Sequence, residues 1–320
     1  MKRRQLVLAG LGLPLAPSLT RAQGSAEGRP MALVAPFAAG GQIDFVARLY
    51  AQKLSKLLGR PVIVDNRPGA GGQLAARHVA RSAPDGDTLL ATSGTFLIAP
   101  HAFRNAGYEV FRDFAVVSGL YSSGTTLVIS AGSQARTLQD FIAMARARPK
   151  QLTYATNGVG TYSHLLMSKF MSEAGIELVH VPYKSLPEGS QAVVGGFVDA
   201  AVETVFGART DRLRPLVVFA AERERLLPGV PSVGELGFPD TAKLGFFAGI
   251  VAPAATPRAT MERLQRASGE VLRDPDYVGR LESAGMNSLT APADQVRAMM
   301  QSQDKFFADV IAALKLELTQ

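Results

Sequence analysis

The 320-residue chain contains no cysteine. Disulfides, thiolate metal sites, thiol nucleophiles and an acyl anchor on an N-terminal cysteine are therefore excluded. A chain of this length can bury an adequate core without covalent cross-links. Histidine is scarce too, at four residues: His78, His101, His164 and His180. None stands at i, i+4 from another or beside a carboxylate at metal-ligand spacing, so no metal site is expected. His78 reads as a helix-surface residue and His180 as a hydrogen-bonded strand residue. The nucleophile elbow Gly-x-Ser-x-Gly is missing, because Gly160-Thr161-Tyr162-Ser163-His164 lacks the glycine after serine. No carboxylate pair stands in a glycine-framed loop. Basic runs interleaved with aromatics are absent, which argues against nucleic acid. Past the N-terminus no apolar run reaches transmembrane length. Neither an enzyme nor a cofactor is expected.

The N-terminus has the parts of a secretory leader. Met1-Lys2-Arg3-Arg4 is basic, Leu6 to Leu13 is apolar but too short to span a bilayer, and Thr20-Arg21-Ala22 offers a small residue for cleavage. Arg3-Arg4 followed by Gln5-Leu6-Val7 fits twin-arginine export poorly, so general secretion is the expected route. Removing residues 1–22 takes away four basic residues and no acidic one, bringing the net charge from +7 to about +3. The expected product is a periplasmic protein, and the high isoelectric point overstates its basicity.

The remainder is organised around Pro36-Phe37-Ala38-Ala39-Gly40-Gly41-Gln42-Ile43-Asp44. An apolar run, Met31 to Ala35, precedes it as a buried strand. Ile43, Val46, Ala47, Tyr50 and Leu54 follow at helical spacing. Such a junction either makes a tight turn on its glycines or presents backbone N–H groups to an anion at the positive end of a helix. Pro61 to Asp65 is a second strand, followed by a loop from Asn66 to Gly72. Leu74 occupies the third glycine position of a dinucleotide fingerprint, so that reading fails. Thr88 to Thr92 is a third strand, ending in Ser93-Gly94-Thr95. Strands alternating with helices imply an α/β domain with a largely parallel sheet, in which ligands bind at the carboxyl ends of strands.

From Ala115 to Ile129 two β-branched runs, separated by Tyr121-Ser122-Ser123-Gly124, lead into a second domain. There Leu138 to Ala147 is a helix, and Leu152 to Ala155 is a strand. Thr156 to His164 then repeats the opening feature, a small-residue loop before a helix. Further strands cover Glu177–Val181, Val198–Glu203 and Leu213–Phe219. Gly245 to Ala252 returns the chain to the first domain. A helix capped by Thr256, with Pro257 at its first position, and another opened by Pro292 complete the chain.

Several stretches taken together resemble the Bug receptors, the solute-binding proteins of tripartite tricarboxylate transporters. They include Pro36-Phe37-x-x-Gly40-Gly41-x-x-Asp44, Val64-Asp65-Asn66-Arg67-Pro68-Gly69-Ala70-Gly71-Gly72 and Ala83-Pro84-Asp85-Gly86-Asp87. Gly158-x-Gly160-Thr161-x-Ser163-His164, Val181-Pro182-Tyr183-Lys184 and Leu227-Pro228-Gly229-Val230-Pro231 continue the likeness along the chain. The resemblance implies an α/β fold like that of type II periplasmic binding proteins. Domain 1 would comprise residues 23–121 and 246–320, and domain 2 residues 122–245. The two would close like a Venus flytrap on a small carboxylate, a di- or tricarboxylate, an aromatic acid or an acidic amino acid. The partners implied are the membrane permease subunits of such a transporter, and the protein itself is a monomer.

The cleft residues implied are Phe37, Ala39, Gly40, Gly41, Asp44, Ser93, Gly94, Thr95, Gly160, Thr161, Ser163, His164, Tyr183 and Glu203. Gly40 and Gly41 would offer amides, and Ser93, Thr95, Thr161 and Ser163 hydroxyls. Asp44 is expected to order the loop, an amine or a water, because like charges repel. His164 either donates to the anion or caps its helix. Lys184 reads as a solvated side chain at the end of a candidate cleft strand. Ala38-Ala39, Ser185-Leu186-Pro187 and Glu203 depart from the usual family pattern, so ligand identity does not transfer. A sensory partner of a two-component system and an exported hydrolase are the alternatives.

Overall fold

The computed structural model describes residues 28–314, so the expected leader lies outside the described residues. The chain begins with β1 (Met31–Ala35), whose apolar residues are buried, and turns through Gly40 into α1 (Gln42–Leu58). Gly40 has φ of +87°, a conformation a side chain would strain. α1 stops at Gly59, which adopts the left-handed conformation typical of a helix end. β2 (Val62–Asn66), α2 (Gln73–Ala80), β3 (Thr88–Ala91), α3 (Gly94–Ala102), α4 (Val110–Asp113) and β4 (Phe114–Ser123) follow.

The second half runs β5 (Thr125–Ser130), α5 (Leu138–Ala147), β6 (Thr153–Thr156), α6 (Tyr162–Ala174) and β7 (Val179–Pro182). It continues through α7 (Leu186–Val194), β8 (Ala200–Thr204), β9 (Leu213–Val218) and α8 (Pro239–Ala242). β10 (Phe246–Pro253), α9 (Arg258–Arg273), α10 (Pro275–Ser283), β11 (Met286–Ser288) and α11 (Ala293–Leu314) close the chain.

Two sheets result. One has the order β11-β4-β10-β3-β1-β2 and the other β7-β6-β8-β5-β9. β1 runs parallel to both β2 and β3, and β6 parallel to both β7 and β8. In each sheet the chain leaves a central strand, returns on one side, then pairs on the other. That change of direction is a topological switch point, and each sheet has one. The chain changes sheet at Gly124, between β4 and β5, and returns between β9 and β10.

A buried cluster joins the sheets. Gly94 at the start of α3 packs against Tyr162 at the start of α6 so closely that a Cβ there would lie 2.9 Å from the ring. Tyr162 in turn meets Phe246 of β10 and Phe307 of α11 edge to face. Burying each large apolar side chain is worth roughly 1.5–3 kcal/mol. A second cluster lies under α1, where Tyr50 hydrogen-bonds Ser268 of α9 at 2.6 Å.

Several local readings need correction. Tyr121, Ser122 and Ser123 belong to β4, so one residue rather than four separates the two extended runs. Ser93-Gly94-Thr95 opens α3, whose apolar residues show no period because nearly all of them are buried. α7 is signalled by Ser185, whose hydroxyl accepts from the Glu188 amide, and by Pro187 in its first turn. The strand read at Val198–Glu203 starts at Ala200 and includes Thr204. Thr256 does not cap α9: its hydroxyl donates to the Pro253 carbonyl at 2.7 Å, and the helix starts at Arg258.

Candidate functional site

The two switch points face each other across a cleft. Its wall takes Phe37, Ala38, Gly41, Gln42 and Ile43 from the end of β1 and the start of α1, and Ser93 and Thr95 from the end of β3. The other sheet supplies Asn157, Tyr162 and Ser163 after β6, Lys184 to Pro187 after β7, and Thr204 at the end of β8. Tyr121, Thr125 and Phe246, from strands next to the two chain crossings, complete it. The cavity measures about 90 Å³. At roughly 10–15 Å³ per water position, that is room for about six to nine heavy atoms.

Three helices aim their N-termini here. α1, α3 and α6 start at Gly41, Ser93 and Thr161, and none has a side-chain cap. The first amides of a helix have no partner within it and carry part of the positive end of its dipole. Three such ends around one small cavity make an environment suited to a negative charge. Around them stand the hydroxyls of Ser93, Thr95, Ser163 and Thr204. The Thr95 hydroxyl also accepts from the Tyr162 amide at 3.2 Å, tying one lobe to the other.

Of the residues expected in the cleft, Phe37, Gly41, Ser93, Thr95 and Ser163 line this cavity. Gly40 lies behind the loop, lining a neighbouring hollow with Phe45 and Phe206, and Ala39 is exposed. The amide of Gly40 donates to Asp44 Oδ2 at 2.9 Å, so it serves the loop. Asp44 is buried and also takes bonds from Arg48 Nε at 3.0 Å and Asn66 Nδ2 at 2.9 Å. Asn66 reaches on to the Phe37 carbonyl at 3.1 Å. Burial pushes the Asp44 carboxyl up, but the bonds from Arg48, Gly40 and Asn66 outweigh it and hold it below its ordinary value.

Gly94 acts through close packing rather than by lining the cleft. Thr161 is buried, with its hydroxyl donating to the Gly158 carbonyl at 2.8 Å. The Gly160 amide donates to His164 Nδ1 at 3.2 Å, which leaves the proton of the neutral ring on Nε2. His164 thus ties down the loop before α6. Its ring stacks on His180 with centroids 4.2 Å apart, and His180 Nε2 is 2.6 Å from Thr156 Oγ1. Burial lowers His164 to about 4. Burial and then the proximity of His164 lower His180 to about 3. Sequence spacing concealed this pair, since 16 positions and a β-crossover separate its members.

Tyr183 is half-buried and packs in the small cluster beneath α7. Glu203 lies behind the wall, taking hydrogen bonds from the Ser190 hydroxyl at 2.6 Å and from Thr204 through its amide and hydroxyl. Burial pushes Glu203 up, against those bonds. It orients Thr204, which does face the cavity.

Sequence reasoning missed Gln42, Asn157, Thr125 and Thr204 as wall residues. Thr125 is the most informative. It is buried and pairs in register with Thr204, and its hydroxyl makes no hydrogen bond of ordinary geometry. It sits beside the Tyr162 hydroxyl, which donates to the Leu244 carbonyl. The Thr125 oxygen itself is sealed off from the cavity, so the residue borders the cleft while its hydroxyl has the Tyr162 hydroxyl as its neighbour. Its position beside the first chain crossing could have drawn attention to it.

Among the described residues no group of three or more metal-ligating side chains comes together, and no helix is long and apolar enough to cross a membrane.

Residues 46–316 match the tripartite tricarboxylate transporter family receptor. The protein from the tcbD-tcbE intergenic region of Pseudomonas sp. strain P51 is 32% identical, over 99% of this chain and 96% of its own length. Protein BugT of Bordetella pertussis is 31% identical, over 95% of this chain and 96% of its own. Among solved structures, MatC from Rhodopseudomonas palustris with bound malate superposes with a TM-score of 0.82 at 29% identity, covering 88% of this chain and 99% of that one. A second R. palustris protein, with adipate, gives 0.84 at 25% identity, covering 89% and 97%. The fold is the two-domain α/β architecture of these periplasmic binding proteins.

Proposed function

Because the chain belongs to the tripartite tricarboxylate transporter receptor family, we propose that it is a periplasmic receptor that captures a small carboxylate between its lobes and delivers it to a membrane permease. The family consists of non-enzymatic, extracytoplasmic solute-binding receptors. One observation carries the ligand class: three helix N-termini without side-chain caps converge on a cavity bordered by hydroxyls and by no carboxylate. A carboxylate set there accepts from amides near Gly41, Ser93 and Ser163 and from the hydroxyls of Ser93 and Thr95. Malate and adipate in the related structures belong to the same class.

The lobes of this reading are residues 28–123 with 245–314, and 124–244, hinged at Gly124 and before β10. Contacts from both lobes favour the closed state, because the ligand gains its full set of partners only there. Phe37, Gly41, Ser93, Thr95 and Ser163 act as direct contacts. Asp44, Gly94, Gly160, Thr161, His164 and Glu203 hold the wall in place. The protein reaches the periplasm through its N-terminal leader by general secretion and works as a monomer.

Thermal-shift screening of the purified protein against di- and tricarboxylates, aromatic acids and acidic amino acids tests the reading. A shift of several degrees with at least one carboxylate, and none with neutral analogues, is expected. Carboxylates that leave the melting temperature unmoved refute the ligand class, and chemical conversion of a bound acid refutes the receptor.

A further inference from the structure

Asn157 stands in the cleft wall with a reactive neighbour, Gly158. The chain has four asparagines, Asn66, Asn105, Asn157 and Asn287, and only Asn157 is followed by glycine. Asparagine is a thermolabile side chain, and a following residue without a β-carbon leaves its backbone nitrogen least obstructed in reaching the side-chain carbonyl carbon. The fold requires glycine here, because Gly158 has φ of +127°. Both residues are half-buried in the bend between β6 and α6. The backbone of Asn157 makes no hydrogen bond to another backbone group among the described residues, and the Gly158 amide makes a long one, 3.2 Å to Thr156 Oγ1. Asn157 Oδ1 accepts from the Ser163 hydroxyl at 2.6 Å, which draws electrons from the amide carbon, and its Nδ2 has no partner among the described residues. Asn66 is the contrast: Arg67 follows it, and its Nδ2 is held by the Phe37 carbonyl and the Asp44 carboxylate.

We propose that Asn157 is a site of spontaneous deamidation, and that the carboxylate it forms shuts the anion site. The Gly158 nitrogen gives up its proton to solvent base and bonds to Asn157 Cγ. The Cγ–Nδ2 bond breaks, and ammonia leaves with a proton taken from water, closing a five-membered imide. Water then opens the imide at one of its two carbonyl carbons, adding hydroxyl to carbon and a proton to nitrogen. An aspartyl or isoaspartyl residue results at position 157, and water is the only co-reactant. The cavity wall holds no carboxylate of its own, and the product places one beside Ser163 and the uncapped start of α6. There it takes the hydroxyl and helix-end amides that a bound acid would use, and it repels the acid's charge. The isoaspartyl form also lengthens the backbone just before the Gly158 carbonyl, which accepts from the Thr161 hydroxyl. The chemistry is independent of the ligand, whereas the shut-off rests on the carboxylate-receptor reading above.

The test holds the purified protein at mildly alkaline and mildly acid pH and follows it by ion exchange and peptide mass. Trypsin releases Gln151 to Lys169, a peptide in which Asn157 is the only asparagine. At alkaline pH this peptide should gain about 1 Da and isoaspartate should appear in it, while the peptides bearing Asn66, Asn105 and Asn287 keep their mass. Acid pH, which keeps the amide protonated, should slow the gain. Asn157→Gln should abolish it, because the longer side chain would have to close a six-membered ring. The aged, more acidic fraction and freshly made Asn157→Asp are then titrated with the acid of the thermal-shift panel that binds unmodified protein most tightly. Each should bind it at least tenfold more weakly, a loss of 1.4 kcal/mol. N157D should melt no lower than wild type, since a carboxylate at a helix N-terminus is favourable. A Gln151–Lys169 peptide that gains mass no faster than the other asparagine peptides overturns the modification. Full affinity in the aged fraction and in N157D overturns the shut-off and leaves the receptor reading standing. If no acid binds unmodified protein, the receptor reading falls and the shut-off with it, while the peptide mass still decides the modification.

Discussion

Removing the Asp44 carboxylate should both destabilise the protein and loosen the ligand loop. Asp44 is buried on the first turn of α1, yet what it holds is the loop before that helix. It accepts from the Gly40 amide at 2.9 Å, from Asn66 at 2.9 Å and from Arg48 at 3.0 Å. The Arg48 side chain is 54% exposed, so its ion pair with Asp44 is screened by solvent and adds little. The Gly40 and Asn66 bonds end on a buried carboxylate and are worth roughly 1.5–3 kcal/mol each, although Asn66 keeps its bond to Phe37 when Asp44 is gone. Asp44→Ala should therefore cost about 2–4 kcal/mol, or roughly 3–7 °C in melting temperature for a chain of this size.

Affinity for a cleft ligand should fall about tenfold or more in the same variant, because Phe37 and Gly41 are no longer held. The pH dependence gives an internal control. The folded Asp44 carboxyl titrates below its ordinary value, so its stabilisation is present above the unfolded value near 3.9 and is lost as pH falls through the folded one. The gap in urea-unfolding free energy between wild type and Asp44→Asn should be full at pH 7 and should close toward pH 3. A D44A protein within 1 kcal/mol of wild type at pH 7, or a gap that does not change with pH, refutes the role assigned to this carboxylate.

Two further outcomes follow from buried groups. His164 and His180 titrate near 4 and 3 when folded and near 6.5 when unfolded, so the unfolded chain takes up protons first and stability falls as pH drops below about 6.5. Each should cost about 2 kcal/mol by pH 5, and His180→Gln should halve that loss in denaturant titrations at pH 7 and 5; an unchanged slope rejects the pair as its source. His101 works in the opposite sense, because its hydrogen bond with Asp304 raises it. Thr125→Val should leave the ligand-free protein as stable as wild type or up to about 1 kcal/mol more stable, since it removes an unpaired hydroxyl. A clear drop in the ligand-free melting temperature contradicts the unpaired state of that group.

The opening strand, loop and helix were legible because their signals are local. Apolar Met31 to Ala35, the glycines at 40 and 41 and the helical period after Ile43 are each written within a few residues. The Gly160 to His164 loop was legible for the same reason, and so was the failure of the dinucleotide pattern. α3 was not, because a helix buried on every side shows no amphipathic period. Thr204 was missed because the strand around it was read one residue short.

The amino-acid sequence by itself determined the α/β class, the two glycine-bearing junctions and the lack of cysteine thiol chemistry, since each depends on residue type and near-neighbour spacing. Tertiary structure alone decided which junction residues face the cavity and which brace it. Asp44, His164 and Glu203 turn toward their own loops, while Thr204 and Lys184 line the cavity. The physical reason is that a polar side chain's role depends on which partners meet it when strands far apart in the chain become neighbours. Asp44 finds Asn66 and Glu203 finds Ser190, whereas the ammonium of Lys184 finds no ionic partner among the described residues.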